Sequence, residues 1–249
     1  MNTDMPGTGR RKLLGSACMA ALAASGATLM TSSEAEAGVP KRFKDIPYPR
    51  YLNLPGHIDG GYDVKVLNYA LMLEDLESDL YVQAVQRLTT GGVNSVGKML
   101  PGLGLTAGQP DVDYLNEFAL VEAEHRDFLR GSLESLIKGI AIKPFRYDFG
   151  LESKSRQEVL DIVLDAEETG TRAYLGAIPQ LHTHLFVTAA AAIMGTEARH
   201  TSTLKILREE MFGPGGPASV APLATENHGA DTPMEPDDVI AHVSPFIIG

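Results

Sequence analysis

The sequence predicts an all-α protein: a four-helix bundle with one long crossover, an extended N-terminal lead-in and a Pro/Gly-rich C-terminal tail. Three observations carry this. Four segments long enough for bundle helices each show an apolar seam at spacings of three and four. Glycine- and proline-rich stretches separate them. One connection, Gly139–Glu152, is long enough to run the length of a bundle. Its 14 residues span about 46 Å extended, against about 39 Å for a 26-residue helix.

The first helix is expected from about Asp63 to Leu88, ended by the glycine-rich Gly91–Gly108, which reads as a flexible connection. This stretch lacks the Lys and Ser/Thr of a phosphate loop. The second starts after Pro110, with Asp111 as its cap, and reaches about Lys138. The third begins near Ser153, whose hydroxyl can cap it, and stops before Pro179. The fourth covers roughly His182 to Met211 and ends at Gly213-Pro214-Gly215-Gly216. The apolar Val243–Ile248 at the end of the tail is expected to dock on the bundle. The divisions are thus 1–37 export signal, 38–62 lead-in, 63–212 bundle and 213–249 tail.

Arg10-Arg11-Lys12, the apolar Leu13–Met30 and the A-x-A site Ala35-Glu36-Ala37 form an export signal with cleavage before Gly38. The paired arginines resemble the twin-arginine signal of bacterial proteins exported already folded, which implies a periplasmic location. A general secretory signal or a retained anchor are the alternatives. The single cysteine, Cys18, lies inside this signal, so a mature chain has neither disulfide nor thiolate ligand. Lys and Arg number 21 against 32 Asp and Glu, a formal charge of −11. That surface argues against nucleic acid or anionic lipid as the main partner.

The seams are interrupted at their middles. In the second helix the seam runs Leu115, Phe118, Glu122, His125, Leu129, Leu133; in the fourth, Phe186, Ala190, Ile193, Glu197, His200, Leu204, Leu207. A glutamate and a histidine three apart lie on one helix face and can reach one metal ion. The preceding helices carry Glu74 with Tyr81 seven residues on, and Glu167 with Tyr174 seven residues on. The half-pattern is therefore written twice. Glu74, Glu122, His125, Glu167, Glu197 and His200 give four carboxylates and two imidazoles, whose charge two divalent ions would balance. Oxygen and imidazole donors suit Fe or Mn, with Zn as a further choice, and suit Cu(I) poorly. Tyr81 and Tyr174 can each donate a hydroxyl to a carboxylate across the bundle.

Other candidates compete. Glu77, one turn after Glu74, could supplement it as a ligand. Glu168 neighbours Glu167 but lacks the spacing to Tyr174, and Glu124 points off the seam. His182 and His184 could form a surface metal site, but exposed or capping histidines are the simpler reading. The methionines read as core filler.

The segments LNYALMLEDLESDLY (67–81), EAEHRDFL (122–129), EETGTRAYLGAI (167–178), AAIMGTEARHTSTL (191–204) and TPMEPDDVIAHVSPFI (232–247) resemble the ferritin-like family that includes plant desiccation-related proteins and exported bacterial relatives. The resemblance implies a ferritin-like bundle with the six residues above as metal ligands. The expected function is that of an exported di-metal protein with O2- or peroxide-linked redox activity of oxidase, peroxidase or catalase type in stress defence. The alternative is a non-enzymatic desiccation or stress protein with a structural or vestigial metal site. Expected partners are the twin-arginine export machinery in transit, a second copy of the chain in a dimer, and a small oxidant if the protein is an enzyme. Iron storage fits poorly, because the long tail is awkward in a closed shell.

Overall fold

Helix α1, Gly61–Leu88, is buried on nearly every side, and its polar residues explain how. The computed structural model describes residues 61–213 and 229–248, all within one unit, 40–249. The expected signal with its cleavage site and Cys18, the lead-in up to Gly60, and 214–228 lie outside the described residues.

Buried backbone and side-chain polar groups need partners, and α1 finds them in the crossover. Asn68 accepts from Ile142 N at 2.8 Å and donates to Ile140 O at 3.2 Å. Asp75 accepts from the Tyr147 hydroxyl at 2.9 Å and from Phe145 N at 3.1 Å. Gln83 donates to Tyr147 O at 3.1 Å, and Arg87 to Lys154 O at 2.9 Å. The partners climb in sequence as α1 does. The crossover therefore runs parallel to α1 from its start to its end.

Directions of the other helices follow. Helix α2, Pro110–Leu136, returns against α1, with Arg126 donating to Ser78 at 2.9 Å and Arg130 to Ile142 O at 2.7 Å. Helix α3, Arg156–Ala177, leaves the end of the crossover and finishes at the start of α1, where Asp63 accepts from His182 N and Thr183 N at 2.7 and 3.0 Å. Helix α4, His184–Phe212, runs back beside α3. Helices α2 and α3 are parallel, and Asp111 on one meets Arg156 on the other through two 2.6 Å hydrogen bonds. The order up, down, crossover, down, up is the one-crossover bundle topology.

Several local expectations are corrected. Asp111 is not a cap: Gln109 holds the N-cap position, Pro110 opens the helix, and Asp111 is buried in its ion pair. The cap of α3 is Ser155 rather than Ser153. Its hydroxyl accepts from Glu158 N at 3.3 Å while Glu158 accepts from Ser155 N at 2.8 Å, a reciprocal capping box. Ser153 instead ends a short 3-10 turn, Leu151–Ser153. The stretch after α1 is not a featureless connection. Strands β1, Gly91–Val93, and β2, Met99–Pro101, form an antiparallel hairpin in the register Gly92↔Leu100. Gly102 is required where the hairpin closes on α1's end, since a β-carbon there would lie 2.3 Å from Thr89 O.

The tail returns as helix α5, Pro236–Val243, which buries Val239 and Val243. Met234 N donates to Arg172 O at 3.0 Å, anchoring the approach to α3. Beyond it, Ile248 N donates to Arg146 O at 2.8 Å and Asp148 N to Phe246 O at 2.9 Å, adding the chain end to the crossover. Among the described residues no helix is long and apolar enough to cross a membrane.

Candidate metal centre

Four helices each contribute one level of the core. Glu74 on α1, Glu122 on α2, Glu167 on α3 and Glu197 on α4 are all 0 % exposed. With His125 and His200 they form two overlapping groups. Glu74, Glu122, His125 and Glu197 offer donor atoms all within 4.8 Å of one another, and so do Glu122, Glu167, Glu197 and His200. Glu122 and Glu197 belong to both.

The donors are spaced for ions between them. His125 Nδ1 lies 3.2 Å from Glu122 Oε2, 3.2 Å from Glu197 Oε1 and 3.4 Å from Glu74 Oε2. His200 Nδ1 lies 2.9 Å from Glu122 Oε1 and 3.2 Å from Glu167 Oε1. Two ligand atoms each about 2.0–2.2 Å from one ion sit about 3–3.5 Å apart. Three inward carboxylate oxygens meet only an imidazole nitrogen, Glu74 Oε2 at 3.4 Å, Glu122 Oε1 at 2.9 Å and Glu197 Oε1 at 3.2 Å, while Glu167 Oε2 and Glu197 Oε2 have no hydrogen-bond partner. Orphaned carboxylate oxygens in an apolar core are strongly unfavourable unless a cation meets them. The residues present therefore fit a metal site.

Protonation in the metal-free chain shows the same demand. Burial pushes Glu74 up to about 8, opposed by its hydrogen bond with His125. Burial also raises Glu167 and Glu197 well above the usual range, the charge of Glu122 adding to the first and those of Glu167 and Glu122 to the second. Glu122 is the exception. Burial opposes its charge too, but hydrogen bonds with His125 and His200 outweigh it and bring it down to about 2. Burial disfavours the charged imidazole of His125, yet hydrogen bonds with Glu122, Glu197 and Glu74 push it up to about 12. Metal binding must displace these protons, because ligands bind deprotonated.

The two tyrosines cross the bundle and exchange halves. Tyr81 on α1 donates its hydroxyl to Glu167 Oε1 on α3, and Tyr174 on α3 donates to Glu74 Oε1 on α1. Each lone glutamate is thereby held by the other half of the repeat through one oxygen, and its second oxygen takes no part in that bond. Burial raises both phenols, so they remain donors.

A model of the ferritin-like domain matches residues 62–210. The chain belongs to the ferritin-like domain family. No curated protein matches it. In this ferritin-like domain the match covers α1 to α4 and stops short of the tail.

The remaining candidates separate cleanly. Glu124 is exposed, and Glu168 faces Lys205 at 3.4 Å. His182 has a largely exposed side chain and His184 opens α4; neither stands in the two donor groups. Glu77 is buried beside the cluster but belongs to neither group. Sequence reasoning passed over Phe118, noted only as seam. Its ring stacks on His200 at 3.9 Å between centroids and 20° between planes. It covers the second imidazole, so the His200 side chain is 5 % exposed against 14 % for His125. Its place one turn before Glu122 was the available signal.

Proposed function

We propose that this chain is an exported di-metal carboxylate protein of the ferritin-like class, holding two Fe or Mn ions and acting on O2 or peroxide in defence against oxidative stress. The observation that carries the reading is the sharing of Glu122 and Glu197 between the two donor groups. Glu74 and His125 would hold one ion and Glu167 and His200 the other, with Glu122 and Glu197 available to both. When bound, a redox-active pair would supply electron transfer to O2 or peroxide.

The chain's own residues have definable tasks in this reading. Tyr174 and Tyr81 fix the rotamers of Glu74 and Glu167 through one oxygen each, which presents the other to an ion. Complete burial of the four carboxylates keeps bulk water from them and strengthens every charge interaction inside. His125, on the less covered side, marks the direction of approach for a small oxidant, while Phe118 closes the other side. The twin-arginine-like signal, cleaved before Gly38, would deliver the folded bundle to the periplasm with its metal already chosen.

Burial of Glu74, Glu122, Glu167, Glu197 and His200 favours a second reading, in which the ions are structural and the protein is a non-enzymatic desiccation or stress protein. One experiment separates the two. Metal content is measured in the protein taken from its native compartment, beside a Glu122→Ala, Glu197→Ala double variant. About two Fe or Mn per chain, absent from the variant, with consumption of peroxide, O2 or Fe(II), supports the redox reading. Bound zinc, or Fe and Mn that leave all three untouched, favours the structural one. No metal in the wild type overturns both.

A further inference from the structure

Glu77 sits one turn after Glu74 on α1 and is not among the two groups of donors. It is 3 % exposed, and its Oε2 has no hydrogen-bond partner. A buried carboxyl with a free oxygen calls for a reason. The duplicated pattern supplies one. Glu74 corresponds to Glu167, Tyr81 to Tyr174, and the pair Glu122 and His125 to Glu197 and His200. At the position three after each lone glutamate the correspondence breaks: Glu77 stands in one half and Gly170 in the other.

Gly170 lies in the interior of α3, where glycine is destabilising relative to alanine. No turn or left-handed backbone demands it there. Space does. A β-carbon on Gly170 would lie 2.6 Å from Glu77 Oε1, inside any real contact distance. One half thus supplies a carboxylate, and the other supplies the volume that admits it.

We propose that Glu77 is a fifth carboxylate of the metal centre, binding the ion held by Glu74 and His125, with Gly170 as the clearance for its head group. This rests on the di-metal reading above. Glu77 follows Glu74 by one turn on the same face of α1, and Glu74 belongs only to the group that contains His125. A fifth carboxylate makes the two metal positions unequal: one gains an additional hard oxygen donor, the other does not. The duplicated pattern by itself would make them alike.

The test is titration of the metal-free full chain with Co(II) and Mn(II), followed by calorimetry and by the Co(II) visible spectrum, for wild type, Glu77→Gln and Gly170→Ala. Wild type should bind two ions of unequal affinity. Glu77→Gln should bind both, one of them about ten- to a hundredfold more weakly, with an altered Co(II) spectrum. Gly170→Ala, which displaces the head group, should weaken the same ion. A Glu77→Ala, Gly170→Ala double variant, with room restored, serves if Gly170→Ala alone does not fold; it should show the same weakened ion. Two ions bound by Glu77→Gln with wild-type affinities and spectrum overturn the proposal and leave the di-metal reading intact. A wild type that takes up neither metal overturns both.

Discussion

Replacing Glu74 by glutamine should make the metal-free protein more stable. Glu74 is fully buried, and burial pushes its carboxyl from the ordinary 4.5 up to about 8, with the His125 hydrogen bond opposing and the charges of Glu197 and Glu122 adding to the rise. Between those values the folded chain holds a proton that the unfolded chain has released. Stability therefore falls as pH rises through the window, by about 1.4 kcal/mol per pH unit for one group. The penalty is small below the unfolded value, reaches about 3 kcal/mol near pH 7 and levels off above about pH 8. Glutamine has no proton to lose and retains a carbonyl to accept from Tyr174. For a domain of this size each kcal/mol shifts the melting temperature by about 2–4 °C, so Glu74→Gln should melt about 6–12 °C above wild type near pH 7. Near pH 5, where the penalty is about 1 kcal/mol, the gap should shrink to about 2–4 °C. With Mn(II) or Fe(II) present the order should reverse, because ligand binding stabilises only the chain that still has its ligand. The assay is calorimetric melting in chelator and in metal, over a pH series. A metal-free variant that melts below wild type at neutral pH, or a gap that does not widen with pH, would refute the reasoning.

Three further outcomes are expected. Tyr174→Phe should leave the fold intact but weaken metal binding by about tenfold or more, read by titration, because Glu74 loses the donor that orients it. Arg156→Ala should destabilise the protein by about 3–5 kcal/mol in denaturant melts, since Asp111, 0 % exposed, is left as an uncompensated buried charge. Phe118→Ala should open the covered side of His200, so that a chelator strips bound metal faster than from wild type, measured by stopped-flow release.

The four bundle helices, their order and the interrupted seams were legible in the sequence because each is a local periodic signal, whereas the eight-residue tail helix α5 was not read as a helix. Leu115, Phe118, Glu122, Leu129 and Leu133 share a face by spacing alone, and all five are buried. The spacing from Glu74 to Tyr81 and from Glu167 to Tyr174 likewise put a donor and an acceptor on one face of each helix. Local punctuation was read less well. Asp111 and Ser153 both have capping chemistry, but the cap falls where the backbone turns, at Gln109 and Ser155. Glycine-rich 91–108 looked like flexible chain because a hairpin three residues per strand has too few positions to show alternation.

The sequence by itself determined the bundle, its duplicated half-pattern and the six donor residues, since residue type and helical period are both written along the chain. Only the tertiary structure decided who meets whom across it. That Tyr81 serves Glu167 and Tyr174 serves Glu74, that Asp111 is neutralised by Arg156, that Phe118 covers His200, and that Glu77 fills the space left by Gly170 are contacts between helices. They depend on the crossover laying α3 parallel to α2. No periodicity within a helix encodes them, because a helix's period fixes which face is buried and not which neighbour it finds.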